Sequence, residues 1–243
     1  ELLFIDLAKG CTRLGGSIAS QVNGLLSGEV PDIECLVEMP SFVKAFHRLL
    51  EEKKIIACHD RSDGGLITTI TEMAFAGRVG VDIQLDPILT KGKEIMESLF
   101  NEELGLVVQI NSQHKEAVIQ ALKECDFHEY VHTIGHLNDK KVINLIQNET
   151  SIHQWNISIL LEEWNRVSYE IQSLRDNPVS AKEEFNNDKD IQRVGIAPKL
   201  SFPLPSVINS SNKRPSVAIL REQGVNGHVE MAAAFDRAGF ACV

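Results

Sequence analysis

The sequence predicts an α+β fold, a mixed sheet covered by helices, over residues 1–148. Three observations carry that expectation: short runs of β-branched and aliphatic residues, amphipathic segments at helical spacing between them, and Gly, Asp or Lys at the run boundaries. "LLFIDLA" is the first β-type run, and "KGCTRLGGSIASQV" after it reads as a turn into a helix. Gly15 and Gly16 permit close backbone approach there, and Ser17 is placed to cap. Residues 41–53 set Phe42, Ala45, Phe46, Leu49 and Leu50 on one helical face. "KKIIACH" is a strand, and "HDRSDGGLITTITEMAFAG" turns into a helix that buries Leu66, Ile70, Met73, Ala74 and Gly77, with Asp63 placed to cap its first turn. "VGVDIQL" and "LGLVVQI" are strands; the acids of "FNEELG" between them decorate a helix end. Residues 113–124 repeat the helical pattern with Ala117, Val118, Ala121 and Leu122, and "HTIGHL" and "KVINLI" are the last two strands of the series. No exact internal repeat is visible.

After Asn148 the texture changes. "SIHQWNISILLEEWNRVSYEIQSLRDN" is expected as one long helical stretch stopped by Pro178, with Trp155 and Trp164 as its packing anchors. Residues 186–211 are polar and carry Pro198, Pro203 and Pro205, the composition of a linker. A second unit then begins: a strand at Val217–Leu220, a Gly/Asn turn, a helix from about Gly227 to Ala238, Gly239 as its stop, and the start of another strand. That is one βαβ step, which cannot bury a sheet alone, so the chain is expected to be a segment of a longer polypeptide. The expected organisation is a subdomain at 1–148, a long helix and linker at 149–213, and the start of an α/β domain at 214–243.

Composition limits the chemistry. A net charge of −10 speaks against broad nucleic-acid binding, which requires a basic surface to displace counterions. No run of about 18 to 20 apolar residues marks a membrane span, and "ELLFIDLAKG" lacks a signal-peptide pattern, so a cytoplasmic setting is expected. The five cysteines are scattered without a CxxC pair, which predicts buried free thiols instead of a disulfide framework or zinc site. His128, His132 and His136 recur every four residues, but with no clustered acids a metal site is not expected from them. No G-x-C-x-G or G-x-S-x-G nucleophile elbow occurs, and Cys242 lacks a following helix to activate it, so no catalytic residue is assigned. In the last unit Gln223, Gly224, Val225 and Asn226 sit in a turn whose amides could face a substrate.

The strongest chemical candidate is the stretch that begins at His59. Gly64 and Gly65 fall at a helix N-terminus, where amide groups without a Cβ in the way allow a phosphate to approach. Asp60 and Asp63 would repel a bare phosphate. The conflict disappears if Asp63 turns inward as the cap and Asp60 binds magnesium, which favours carboxylate, water and phosphate oxygens. Ser62 adds a hydroxyl and Arg61 a charge. A plain capped strand-to-helix turn is the competing reading of the same residues.

"DLAKGCTRLGGS", "HDRSDGGLITTITEMAFAG", "LFNEELG", "LRDNP", "KLSF" and "RPSVAILREQGVNGHVEMAAAFDRAGF" together resemble the C-terminal part of the large, glutaminase-fused phosphoribosylformylglycinamidine synthases. The resemblance spans almost the whole chain. It implies an ATP-dependent ligase of purine synthesis that replaces an amide oxygen of formylglycinamide ribonucleotide by nitrogen from glutamine. It also implies that residues 1–148 are similar to the C-terminal domain of aminoimidazole ribonucleotide synthetase and that residues 214–243 open a class I glutamine amidotransferase domain. By the same resemblance Asp60 corresponds to a magnesium ligand and Ser62 to an ATP-binding residue, in a half-site completed by other parts of the same polypeptide. Activity is then not expected of these residues alone. Two alternatives stay open: an architectural module without catalytic role, and another synthetase of the superfamily, such as selenophosphate synthetase.

Overall fold

The computed structural model describes residues 1–25, 28–89, 94–203 and 213–243, in two compact units, Glu1–Arg193 and Val194–Val243. In the first unit seven strands form one sheet: β1 (Leu2–Asp6), β2 (Ile55–Asp60), β3 (Gly80–Gln84), β4 (Gly105–Ile110), β5 (Val131–Asn138), β6 (Val142–Gln147) and β7 (Thr150–Asn156), in the order β2-β4-β1-β5-β3-β6-β7. Only β3 and β6 pair in parallel; the other neighbours are antiparallel. The six β-type runs of the sequence are thus six of the seven strands, and the mixed sheet is as expected.

Central strand β1 is buried along its full length. Because successive side chains point to opposite faces, it feeds two cores. Leu2 and Phe4, with Val107, meet α3 (Gly65–Gly77) and α4 (Ile95–Phe100) on one face. On the other, Leu3 and Ile5, with Leu106 and Val108, meet α2 (Met39–Glu51) and α5 (Lys115–Lys123). Phe42, Ala45 and Leu49 of α2 are buried as the periodicity predicts, whereas Leu50 is exposed at the edge of that stripe. Burial of side chains of this size contributes roughly 1.5–3 kcal/mol each relative to exposure.

The expectation of one helix across residues 151–177 is corrected. Asn148 and Glu149 both adopt positive φ, at 48° and 60°, the requirement of a two-residue hairpin turn whose twist matches the strands it joins. Residues 150–156 therefore return along β6, with Gln147 opposite Thr150 and Val142 opposite Asn156. Their side chains are mostly exposed, so no apolar alternation announces the strand, and hydrogen bonding to β6 decides its conformation. The helix α6 (Ile157–Arg175) starts only after Asn156, whose side chain accepts from the Ser158 amide at 2.8 Å. A second helix, α7 (Pro178–Asp188), is capped by Asn177 and extends into the expected linker. Tyr169 and Phe185 stack at 4.4 Å between these two helices. Trp155 accordingly belongs to β7, packed against the core, and Trp164 to α6.

In the second unit β8 (Ser216–Val217) and β9 (Ala241–Cys242) pair in parallel and flank α8 (His228–Arg237), the expected βαβ step. Of residues 213–243 only Gly239 is buried; Leu220, Val229 and Met231 are exposed, as the unburied sheet predicts.

Candidate functional site

Two strand ends and two glycine-bearing turns converge on one acidic segment. The first turn leads from β1 into the short helix α1 (Ile18–Val22), where Ser17 is the cap and accepts from the Ser20 amide at 3.2 Å. The second leads from β2 into α3. Both reach Glu102: its Oε1 accepts from the Ile18 amide at 2.9 Å and from the Gly64 amide at 2.8 Å. Its neighbour Glu103 has no solvent exposure and receives the Arg13 amide at 3.1 Å, Nε at 2.6 Å and Nη2 at 2.9 Å. Two carboxylates from "FNEELG" thus take positions at helix and turn amides that an anion favours.

The second turn is tight at Gly65. Its φ is +76°, and a Cβ there would lie 2.6 Å from the Leu99 carbonyl oxygen. The Gly65 amide donates to Ser62 O at 3.0 Å. The phosphate approach expected at Gly64 and Gly65 therefore meets amides that already have partners, and Gly65 is itself buried.

Two expectations at this turn are corrected. Asp63 makes no cap hydrogen bond: Gly64, in left-handed conformation, is the residue at the cap position, and Asp63 is exposed. Arg61 offers no charge to a ligand. It is buried over the Phe4 ring at 4.8 Å, donating Nη2 to Asp6 at 3.2 Å and Nε to the Glu103 carbonyl at 2.5 Å. Burial pushes its pKa down, opposed by Asp6 and Glu103. Asp6 also accepts from the Ala8 and Gly10 amides at 3.2 and 2.9 Å, which fixes the start of the first turn.

Asp60 is placed differently. It ends β2 with its side chain 75% exposed, Oδ2 accepting from the Ser62 hydroxyl and Oδ1 at 3.3 Å from His59 Nδ1. The Ser62 hydroxyl, and more weakly His59, hold its carboxyl below the usual range, so it is ionised near neutrality. Among the described residues no group of three or more His, Cys, Asp and Glu is arranged to hold a metal. The donor set fits magnesium in one mode only: one ionised carboxylate, with waters and ligand phosphates supplying the other oxygens.

The other sequence candidates do not join this site. His128 lies in a 3-10 turn before β5, His132 stacks on Phe4 at 6.1 Å, and His136 is 3.5 Å from Asp82, so the three do not converge on one metal. All five cysteines are free; Cys35 and Cys125 are buried, but Cys58 is exposed on edge strand β2, against expectation. A cavity of about 360 Å³ opens beside the site between α3 and the sheet, with His59, Glu72, Met73, Val81 and Leu137 in its wall. Glu102 and Glu103, expected only to decorate a helix end, are the residues whose part in the turns the sequence reading missed. Their partners lie 38 to 90 positions away, and no local pattern records them.

Comparison with known proteins sharpens the assignment. The model of the family described as AIR synthase related protein, C-terminal domain, matches residues 7–148, and that of the CobB/CobQ-like glutamine amidotransferase domain matches residues 214–243. Among solved structures, Thermotoga maritima PurL complexed with FGAR has a TM-score of 0.53 at 19% identity, over 65% of this chain and 27% of that one. Phosphoribosylformylglycinamidine synthase II from Thermotoga maritima gives 0.50 at 18%, over 65% of this chain and 25% of that one. PurLQS from the same organism gives 0.50 at 14%, over 98% and 31%. The chain thus spans about a quarter to a third of the solved chains it resembles, and the likeness is one of fold. The match at 7–148 begins just after β1 and takes in β2 to β6 and their helices as far as the β6–β7 turn, and by it the chain belongs to the AIR synthase related proteins, in their C-terminal domain.

Proposed function

We propose that this chain contributes a half-site for magnesium and ATP to a glutamine-dependent phosphoribosylformylglycinamidine synthase. The observation that carries the reading is the exposed, ionised Asp60 hydrogen-bonded to Ser62 at the end of β2, beside a turn whose cation, Arg61, is paired internally with Asp6. Asp60 would hold the cation and Ser62 would donate its hydroxyl to a nucleotide phosphate. Magnesium bound there supplies charge neutralisation for phosphoryl transfer. The residues of this chain hold and orient; none has the part of nucleophile. Glu102 and the buried Asp6–Arg61 pair keep the turn rigid, so that Asp60 and Ser62 are presented without rearrangement.

In the parent reaction, ATP would phosphorylate the amide oxygen of formylglycinamide ribonucleotide and nitrogen from glutamine would replace it. The products would be formylglycinamidine ribonucleotide, glutamate, ADP and phosphate. The partners are other ligase subdomains and a glutaminase domain of the same polypeptide, begun here at residues 214–243, in a cytoplasmic enzyme. The proposed organisation remains 1–148, 149–213 and 214–243, with β7 and two helices in the middle portion.

A second reading, an architectural module, is favoured by the internal partners of the Gly64 and Gly65 amides. Asp60→Asn in the full-length protein separates the two. A ligase turnover at least about tenfold lower at limiting magnesium supports the nucleotide site, and unchanged turnover with unchanged magnesium dependence supports the module.

A further inference from the structure

The hydroxyl of Ser98, on α4, is buried and has no hydrogen-bond partner among the described residues. It does not turn back onto its own helix, where a serine hydroxyl can reach the carbonyl one turn earlier. Ser98 instead lines a narrow cleft of about 20 Å³ beside Phe4, Thr12 and Ile88, and the other polar wall of that cleft is Asp6 with Arg61. This is the buried pair beneath the second turn, with side chains 5% and 2% exposed.

Neither member of the pair has used its full hydrogen-bonding capacity. A carboxylate has about four acceptor sites, and Asp6 receives the Ala8 amide, the Gly10 amide and Arg61 Nη2. Arg61 gives Nε to the Glu103 carbonyl and Nη2 to Asp6 and the Leu104 carbonyl, and none of these bonds uses Nη1. Buried polar groups left in this condition are commonly completed by an ordered water, and a cleft needs roughly 10–15 Å³ to admit one. The cleft has that room and little more. Charge points the same way: Arg61 is matched by Asp6 and the neighbouring Glu103 by Arg13, so no excess charge is left to hold an ion.

We propose that the cleft binds a single water, which accepts from Ser98 Oγ–H and Arg61 Nη1–H and donates to Asp6. The water joins α4 to β1 and to the turn after β2, and it completes the pair on which that turn rests. The proposal is independent of the magnesium reading of Asp60.

The test is a crystal structure of the full-length protein in which ordered waters are resolved, together with the melting temperatures of wild type and Ser98→Ala. The expected result is a water about 2.7–3.2 Å from Ser98 Oγ and within the same reach of Asp6 or Arg61, with a lower melting temperature in Ser98→Ala because the water loses a partner. A hydroxyl without any partner predicts the other sign, since removing a buried unsatisfied group is neutral or stabilising. Alanine is also the better helix former, so a fall cannot come from the propensity of α4. Any one of four results overturns the proposal: a cleft without water, a Ser98 hydroxyl bonded to a protein atom, an ion in the water's place revealed by anomalous scattering after bromide exchange, or a melting temperature in Ser98→Ala equal to or above wild type.

Discussion

The two glycine turns of the site are built alike and used differently. Each leads from a strand to a helix, each has a glycine with φ near +77°, and each gives an amide to the same oxygen of Glu102. In the first turn the polar side chains are consumed by the turn: Ser17 caps α1, and Arg13 is clamped on Glu103. In the second the cap position is a glycine, Arg61 is drawn inward, and Asp60 remains exposed with a hydroxyl beside it. The difference leaves two exposed acids at the second turn, Asp60 and Asp63, of which Asp60 is the one with a hydroxyl bonded to it.

The largest expected effect falls on what anchors the second turn from below. Arg61→Met leaves Asp6 buried without its cation, and removing one partner of such a pair costs about 3–5 kcal/mol; chemical denaturation of the full-length protein should show it. Next come the glycines. Gly65→Ala incurs both left-handed strain and the collision with the Leu99 carbonyl, whereas Gly16→Ala, with open space around it, incurs only the strain, roughly 1–2 kcal/mol. Equal losses at the two positions would break the comparison. Glu102→Ala should loosen both turns at once, costing about 0.5–1.5 kcal/mol for each hydrogen bond lost. Hydrogen exchange at Ile18 and Gly64 should speed up together. Smallest is the contrast of caps: Ser17→Ala is expected to cost about 1 kcal/mol and Asp63→Ala no more than about 0.5 kcal/mol.

What was legible in the sequence follows the range of the forces involved. β1 and β4 declare themselves because both faces are buried and their residues form continuous apolar runs. α2 and α5 declare themselves by their apolar stripes. β7 does not, since its side chains are mostly exposed and its conformation comes from pairing with β6. At the site, the pairing of Asp60 with Ser62 is local and could be read, as could Ser17 as a cap. The fates of Arg61 and Asp63 could not. Arg61 is turned inward by Asp6, 55 positions earlier, and Asp63 is made superfluous by Glu102, 38 positions after the glycine it serves. Long-range carboxylates reassigned the roles that short-range pattern had given to their neighbours.

The central claim is that Asp60 is retained for a cation and not for the turn. The measurement that addresses it most directly is nucleotide retained by the full-length protein after purification at a series of magnesium concentrations, in wild type and in Asp60→Asn, with Asp63→Asn as internal control. The account predicts that Asp60→Asn loses retained nucleotide and requires at least about tenfold more magnesium to restore it, while Asp63→Asn matches wild type. Wild-type retention at every magnesium concentration in Asp60→Asn would contradict it.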